Sequence, residues 1–348
     1  MRNYILFLFV VFGFIACEKN EAQTENEVWT IPSEEVRDGG PGKDGIPSVD
    51  DPVFTNIDNL SFLTNDDLIL GLKVGEVIRA YPHPILDWHE IINDDLGARS
   101  VAITYCPLTG TGIGWDRDLP DGRTTFGVSG LLYNSNLMPY DRASDSYWSQ
   151  MEGSSVNGAL VNTVAETVNL VEMPVSLWRE LYPDAEVVSA ETGASRPYGD
   201  YPYGSYRTDE NLIFPVNNSD PSRSQKERML GVEIDGNLKV YPFEHFLGAE
   251  LTLVEDSFQG EDLLVIGSRE QNVQVAFSAT LADGTRPTWT ILQGELPLIL
   301  QDEEGNKWDL FGYAVSGPRA GEQLQAPTAY IGYWFAWVAF FPELTVFE

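Results

Sequence analysis

Apolar and polar residues alternate over much of the chain, and this pattern predicts mainly β structure. The alternation covers residues 69–74 and 77–81 with a turn between them, which is typical of a half-buried β-hairpin. It returns at 229–234 and 238–241, where Asp235-Gly236 supplies residues that tolerate positive φ in a two-residue turn. Each half of the chain is therefore predicted to begin with a hairpin.

The two hairpins belong to a longer internal repeat. The string LGLKVGEVIRAYP at 70–82 recurs as LGVEIDGNLKVYP at 230–242, an offset of 160 residues. Later landmarks keep offsets between 159 and 162: Asp121-Gly122 with Asp283-Gly284, Trp148 with Trp308, Gly158 with Gly317, Trp178 with Trp337, and Pro183 with Pro342. The chain is predicted to contain two copies of one unit.

Other elements recur in each half. Runs rich in apolar and β-branched residues predict strands at 100–105 and 262–266, and the two later Asp-Gly pairs predict second hairpins. Amphipathic runs followed by proline predict short helices at 175–182 and 330–340. The predicted fold class is mainly β, a β-rich α+β arrangement of two tandem homologous lobes with a few short helices.

Composition along the chain sets the predicted domain boundaries. These are a lipoprotein signal peptide at 1–17, an acidic tether and leading segment at 18–50, a first β-rich repeat with the candidate site at 51–191, a linker rich in Gly, Pro and Tyr at 192–224, and a second, degenerate repeat at 225–348. We expect the linker tyrosines to pack against the lobes, with ligand stacking as the alternative.

The N-terminal segment MRNYILFLFVVFGFIAC predicts export and lipidation. Its apolar run at 4–16 is shorter than the ~20 residues of a membrane-spanning helix. Ala16 precedes Cys17, and the string FIAC resembles a bacterial lipobox, so Cys17 is predicted to be lipidated; an ordinary secretory signal is the alternative. The prediction is a cell-envelope protein on a bacterial membrane, with the outer membrane favoured, whose lipid anchor holds the body outside the cytoplasm.

Charge limits the partners. The sequence has 53 acidic and 21 basic residues, a formal net charge of −32, which repels phosphate backbones and argues against a nucleic-acid partner. The remaining candidates are the membrane through the lipid, another envelope protein, or a small molecule. P-loop, GxGxxG, GxSxG and HExxH motifs do not occur in the sequence.

Differences between the two repeats point to the first one for chemistry. With Cys17 lipidated, Cys106 is the remaining thiol, so neither an intramolecular disulfide nor a CxxC pair can form. The halves differ most at DWHEIIND (87–94) and at TYCPLTGTG (104–112), where Ser268 aligns with Cys106. The candidate site is therefore predicted in the first repeat.

Several long strings carry a family resemblance: GGPGKDGIPSVDDPVF, AYPHPILDWHEIIND, TYCPLTGTG, TFGVSGLLYNSNLMPYDRASDSYWSQ and YWFAWVAFFP. Together they resemble domain-of-unknown-function family 3179 over nearly all of the mature chain. The resemblance implies no established reaction. The family usually has CPLCGTA where this chain has Thr109 in place of the second cysteine, which implies no dithiol mechanism here. His89, Glu90 and Cys106 match the family pattern, whereas His83 lies where that pattern is not distinctive.

Two sharp hypotheses and one structural alternative follow for these residues. In the first, Cys106 is a nucleophile, His89 its base and Glu90 a further catalytic group. An anion would then bind the loop and the nearby cation, namely Gly110, Thr111, Gly112 and Arg142.

In the second hypothesis, Cys106, His89 and His83 bind a transition metal such as copper, zinc or iron, although their spacing matches no standard zinc motif. The alternative makes Cys106 a small buried residue, His89 a hydrogen-bonded core residue and Arg142 the partner of a structural carboxylate.

The function predicted from the sequence is that of a lipid-anchored envelope protein with a Cys/His site in its first repeat, and whether it is an enzyme is left open. A binding or scaffolding lipoprotein without catalysis is the second hypothesis. In the third, the groove between the lobes binds a small molecule, with Tyr and Trp side chains as its walls.

Overall fold

A computed structural model describes residues 28–348. The predicted signal peptide, the predicted lipidation site Cys17 and residues 18–27 of the acidic tether lie outside the described residues, so these assignments stay predictions. Among the described residues, no helix is both long and apolar enough to cross a membrane.

Strands dominate the described chain, which confirms the β-rich class. In the first half and the segment before it they are β1 (Arg37–Asp38), β2 (Phe54–Thr55), β3 (Leu68–Val74), β4 (Val77–Pro82), β5 (Ile91–Leu96), β6 (Arg99–Cys106), β7 (Thr111–Asp116), β8 (Asp118–Leu119), β9 (Gly122–Arg123), β10 (Phe126–Tyr133), β11 (Asn136–Asp141), β12 (Tyr147–Ser149), β13 (Ser154–Asn157), β14 (Thr167–Val168), β15 (Val171–Pro174) and β16 (Glu186–Val188).

The second half continues the series. Its strands are β17 (Arg228–Ile234), β18 (Asn237–Pro242), β19 (Thr252–Phe258), β20 (Glu261–Ser268), β21 (Val273–Ser278), β22 (Trp289–Ile291), β23 (Leu298–Asp302), β24 (Lys307–Asp309), β25 (Ala314–Ser316), β26 (Thr328–Tyr333) and β27 (Thr345–Val346). The described α-helices are short: α1 (His83–His89), α2 (Val175–Leu181) and α3 (Trp334–Phe340). Turns of 3-10 helix lie at Ser33–Glu35, Ile57–Asn59, Tyr206–Thr208 and Phe243–His245.

The two predicted opening hairpins are present. β3 pairs with β4 and β17 pairs with β18, both antiparallel. Asp235 and Gly236 connect the second pair with φ of 51° and 74°, the positive values that the Asp-Gly signal predicted. Local alternation and turn chemistry were enough to place these strands.

Two predicted elements differ from the structure. The helix predicted at 330–340 begins at Trp334, because the residues before it form β26 and pair with β17. Asp283-Gly284 forms a turn without flanking strands, because β22 pairs with β23 and not with β21. In the first place, pairing with the distant strand β17 overrode the local pattern; in the second, the strand after the turn pairs with the next strand, β23.

The sheets of the two halves share a pairing scheme. The sheet order β15-β3-β4-β16-β2 in the first half corresponds to β26-β17-β18-β27 in the second. In each, the hairpin's first strand pairs antiparallel with a late strand and its second strand pairs parallel with another. The other main sheets are β14-β7-β6-β5 and β1-β10-β11-β12-β13 in the first half, and β19-β20-β21 and β22-β23-β24-β25 in the second.

The hydrophobic core joins the halves. Trp178 on α2 packs in one cluster with second-half residues such as Leu264 and Phe311, while Trp337 on α3 packs in another with first-half residues such as Trp115. Burial of such large apolar surfaces is the main stabilising contribution to a fold of this kind. Because the clusters mix residues of both halves, the division into two tandem lobes stays a prediction.

Candidate functional site

Cys106 is the last residue of β6 and is enclosed by the protein. Its side chain is buried, the amide of Leu137 donates to Sγ at 3.4 Å, and Sγ donates to the carbonyl of Ser135 at 3.7 Å. Burial raises the pKa of the Cys106 thiol, and the charge of nearby Glu90 raises it further. The thiol is therefore held protonated, whereas a nucleophilic cysteine needs a lowered pKa.

His89 has partners other than the thiol. Its Nδ1 lies 2.7 Å from the carbonyl oxygen of Pro47, and its Nε2 lies 2.8 Å from the hydroxyl of Tyr198. Burial lowers the pKa of His89, so the ring is neutral at pH 7. Because a carbonyl can only accept, Nδ1 donates to Pro47 and Nε2 accepts from Tyr198. Within residues 28–348 no hydrogen bond joins His89 to Cys106.

Glu90 is the predicted residue that the fold does bring toward Cys106. It caps the end of α1 with φ of 58°, and its Oε1 accepts a hydrogen bond from Tyr203 at 3.4 Å. Burial raises the pKa of Glu90 to about 8, and the charge of Asp87 adds to the rise although the Tyr203 hydrogen bond opposes it. Glu90 and Cys106 are thus two buried, protonated groups at pH 7.

His83 lies apart from both. Its ring packs on that of Tyr105 with centroids 4.2 Å apart, and Nε2 is 3.2 Å from Oε2 of Glu172 without the angle of a hydrogen bond. The three residues predicted to bind a metal thus have separate surroundings. Throughout residues 28–348, His, Cys, Asp and Glu side chains form no group of three or more that could hold a metal ion.

The predicted anion loop uses its backbone donors internally. The amide of Gly110 donates to the carbonyl of Cys106 at 2.9 Å, while Thr111 and Gly112 pair with Cys106 and Tyr105 in the β6–β7 ladder. Because the Gly110 amide has a protein acceptor and Thr111 and Gly112 already belong to the β6–β7 ladder, the loop is a tight hairpin turn. Gly110 nevertheless lines the cavity described next.

Arg142 occupies the structural role that was its alternative. It lies on the surface side of the first half and binds Asp44 at 2.9 Å and Asp50 at 3.2 Å. These carboxylates belong to the segment that leads into the first repeat, so Arg142 fastens that segment to the sheet.

A cavity of about 240 Å³ lies between the halves, close to the predicted residues but centred on others. Its wall combines both halves and the linker: Asp66, Asp67, Leu68, His83, Tyr105, Gly110, Glu172, Arg207, Lys226, Arg228 and Tyr333. The lining contains three cations and three carboxylates, whereas the whole chain has 53 acidic and 21 basic residues. The wall therefore has equal numbers of basic and acidic side chains, a higher share of cations than the chain as a whole.

Arg207 comes from the linker and is fixed from two sides. Its Nη2 donates to both carboxylate oxygens of Asp87 at 2.7 and 2.8 Å, and its guanidinium lies 4.0 Å above the ring of Tyr201. Burial raises the pKa of Asp87 to about 7, and the Arg207 charge opposes that rise. Nε and Nη1 of Arg207 have no protein acceptor in the described part of the chain, so they remain able to donate to a ligand.

The second half supplies the other two cations. Lys226 donates to the carbonyl oxygens of Asp209 and Asn211 and so ties the end of the linker to the cavity. Arg228, the first residue of β17, donates to Asn272 at 2.7 Å and to Glu172. Burial opposes ionisation of Glu172, but the charges of Arg228 and His83 outweigh it and lower its pKa.

Three further polar groups belong to residues of the cavity wall and form no hydrogen bond within residues 28–348: the hydroxyls of Tyr105 and Tyr333 and the Nε2 atom of His83. Of these, the His83 atom is fully buried, and it lies 3.2 Å from Oε2 of Glu172. A buried polar atom without a partner loses free energy, about 1–3 kcal/mol per group. The cavity therefore offers hydrogen-bonding groups that a bound molecule would satisfy.

Other depressions lack this set of donors. One of about 200 Å³ contains Arg99 as its single cation, and Arg99 is 2.6 Å from Glu166 of the same wall. Another of about 610 Å³ contains Arg79, which is 2.8 Å from Glu186. Each has one cation, which is paired with a carboxylate, whereas the cavity between the halves has three cations, of which Lys226 has no carboxylate partner within residues 28–348.

The sequence analysis missed the cationic residues of the cavity, although the repeat contained a signal for them. At the offset of 160 residues, Lys226 aligns with Asp66 and Arg228 with Leu68. A basic residue in an acidic chain, at a position where the other copy has an acidic or apolar one, marks a specific requirement. The comparison of the halves considered only the first-half strings around Cys106.

Comparison with known proteins identifies a family without an activity. The model of the family described as "Protein of unknown function (DUF3179)" matches residues 43–344. No curated protein and no solved structure matches the chain.

Proposed function

Because the chain belongs to the DUF3179 family, whose description assigns no activity, we propose from its own geometry that it binds a small oxyanion-bearing molecule in the cavity between its halves. The carrying observation is the donor set of that cavity. Three cations, two phenol hydroxyls and a buried imidazole line one space, which they share with three carboxylates. Arg207 and Arg228 are ion-paired but keep further N–H donors, and Lys226 has no carboxylate partner within residues 28–348. Such a set matches a ligand rich in acceptor oxygens, such as a carboxylate or a phosphate.

The size and walls of the cavity support a small ligand. A volume of about 240 Å³ is below the usual range for drug-sized ligands, which is about 300–1,000 Å³. The rings of Tyr105 and Tyr333 form part of its wall, which agrees with the third hypothesis from the sequence, a binder with aromatic walls between the halves. The Cys/His hypothesis has less support, because the thiol is enclosed and His89 forms its hydrogen bonds with Pro47 and Tyr198.

We infer in addition that this binding activity operates in the cell envelope. The support is the N-terminal sequence, in which a short apolar run ends at Ala16-Cys17. A lipid on Cys17 would tether the cavity near a membrane surface. Fractionation of cells that express the protein or its Cys17→Ser variant tests this: the wild-type protein is expected in detergent-soluble membranes, and the variant is expected to leave them.

Calorimetric titration of the full-length protein with acetate, succinate and inorganic phosphate tests the binding proposal. At least one of them is expected to bind, and the Tyr105→Phe/Tyr333→Phe double variant is expected to bind it about tenfold more weakly. That loss corresponds to about 1.4 kcal/mol and reflects the removal of two donors without a change of shape.

A matched pair of arginine variants completes the test. Arg207→Gln removes a cavity cation whose side chain is 32% exposed, whereas Arg142→Gln removes another ion-paired arginine of similar exposure, 29%, away from the cavity. The first is expected to weaken binding by about 10- to 100-fold and the second to leave it unchanged. Equal effects of both variants, or no binding of any probe to the wild-type protein, would refute the proposal.

A further inference from the structure

One pair of equivalent positions in the two repeats contributes opposite charges to the cavity. Asp66, two residues before β3, corresponds at the offset of 160 residues to Lys226, two residues before β17. The neighbouring Asp67 and Arg228 line the same cavity, although the offset relates them to Glu227 and Leu68. The starts of β3 and β17 therefore bring two carboxylates and two cations to one space.

These opposite charges do not neutralise each other. Arg228 pairs with Glu172, and Lys226 is held by backbone carbonyls. Asp66 is exposed and has no protein donor among residues 28–348, and Asp67 is half-buried and accepts one hydrogen bond, from the amide of Thr64 at 2.7 Å. Within the described chain, neither aspartate forms a salt bridge.

The two aspartates are close to the cationic interior. The charge of Asp67 raises the pKa of Asp87, which is the carboxylate that holds Arg207. The buried Nε2 atom of His83, in the wall of the same cavity, is 3.2 Å from Oε2 of Glu172 but lacks hydrogen-bond geometry to it, which leaves a polar atom that a ligand can satisfy. A molecule bound there would meet cations at one end and unpaired carboxylates at the other.

We propose that the ligand is a small zwitterion, whose carboxylate or phosphate lies against the three cations and whose ammonium group lies against Asp66 and Asp67. This inference rests on the proposed binding function and narrows its ligand class. The ammonium group is expected beside Asp66 and Asp67, which are exposed and half-buried. Desolvation of a cation costs less there than in the deep interior.

The test compares linear alkanoates with their ω-amino derivatives at matched chain lengths, titrated into the full-length protein. At the best-fitting length, the amino derivative is expected to bind about fivefold more tightly than the plain alkanoate, which corresponds to about 1 kcal/mol. The Asp66→Asn/Asp67→Asn double variant is expected to abolish that difference and to bind the alkanoate at least as well as the wild-type protein. Asp121→Asn, an exposed aspartate on the turn between β8 and β9, is the control and is expected to preserve the difference.

The outcomes separate this inference from the function it rests on. If alkanoates bind and the amino group adds nothing at any length, Asp66 and Asp67 are ordinary solvated carboxylates and the zwitterion proposal is overturned, while anion binding stands. If the double variant keeps the preference, the ammonium site lies elsewhere and the assignment is likewise overturned. If neither series binds, both proposals fall.

Discussion

The segments that follow the first hairpin of each half begin alike and then diverge. In both, the tyrosine at the end of the hairpin donates to an aspartate of the next strand: Tyr81 to Asp94 at 2.7 Å and Tyr241 to Asp256 at 2.8 Å. Between the tyrosine and the aspartate, the first half forms α1 and the second forms the 3-10 turn Phe243–His245. The scaffold is repeated, but the element placed on it is not.

The two elements differ most in the ionisable groups that they bury. α1 and its cap bury His83, Asp87, His89 and Glu90. In the second half, Glu244 is exposed and His245 is half-buried. Since the second copy keeps its tyrosine–aspartate bond without these buried groups, that shared contact does not depend on them. The difference teaches that buried polarity in the first half serves the linker and the cavity.

The largest expected effect concerns the shared scaffold. Trp148 and Trp308 are fully buried, and their Nε1 atoms donate to Asp141 at 3.2 Å and to Asp302 at 3.1 Å. Trp148→Ala and Trp308→Ala are each expected to lower the free energy of unfolding by about 3–5 kcal/mol, because each leaves a large cavity. Urea denaturation of the full-length proteins measures this.

A partly exposed tryptophan provides the control for that comparison. Trp29→Ala is expected to cost clearly less, because Trp29 stacks on Tyr147 at the edge of the fold. If replacing Trp148 or Trp308 lowered the free energy of unfolding by no more than replacing Trp29, the two buried tryptophans would not stabilise the two halves in the same way.

A smaller expected effect is the pH dependence of stability that the buried carboxyl group of Glu90 causes. The pKa of Glu90 is raised in the folded state from 4.5 to about 8, so the folded protein binds a proton there that the unfolded chain releases. Stability from this group is complete below pH 4.5 and is lost as the pH rises to about 8, with a slope of up to about 1.4 kcal/mol per pH unit. Glu90→Gln is expected to flatten this part of the dependence of unfolding free energy on pH.

An exposed glutamate of the second half supplies the control for Glu90. Glu250 lies between the 3-10 turn and β19, in the segment that corresponds to the one between Tyr81 and β5, so Glu250→Gln is expected to leave the pH profile unchanged. Asp87, whose pKa is raised to about 7, gives the Glu90 variant a remaining slope of the same sign. A Glu90→Gln profile as steep as that of the wild type would contradict the assignment.

The smallest expected effect concerns the aligned pair Cys106 and Ser268. Cys106→Ala is expected to cost about 1 kcal/mol of unfolding free energy, since it removes one buried atom, the sulfur Sγ. Ser268→Ala is expected to cost a similar amount, because its hydroxyl donates to Gly248 at 2.7 Å and accepts from Gln271 at 3.1 Å. Both variants are expected to bind oxyanion probes like the wild type; lost binding with an intact fold for Cys106→Ala would return the thiol to the site.

The sequence predicted the elements of the fold better than the residues of the cavity. It located the opening hairpins, α2 and the strand that ends at Cys106, because alternation, Asp-Gly turns and terminal prolines act over a few residues. It extended the last helix over β26, whose strand state depends on β17 almost a hundred residues earlier. It named two residues that line the cavity, but predicted His83 as a metal ligand and Gly110 as part of an anion-binding loop.

The sequence by itself determined the β-rich class, the repeat, the family and the acidic character of this protein, since each is a matter of local pattern or composition. The tertiary structure decided which charges meet. Arg207, Lys226 and Arg228 reach His83 and Glu172 only through the crossed packing of the halves and the course of the linker. The physical reason is that a binding site depends on distances between side chains far apart in the chain, and those distances are set by the packing of the whole core.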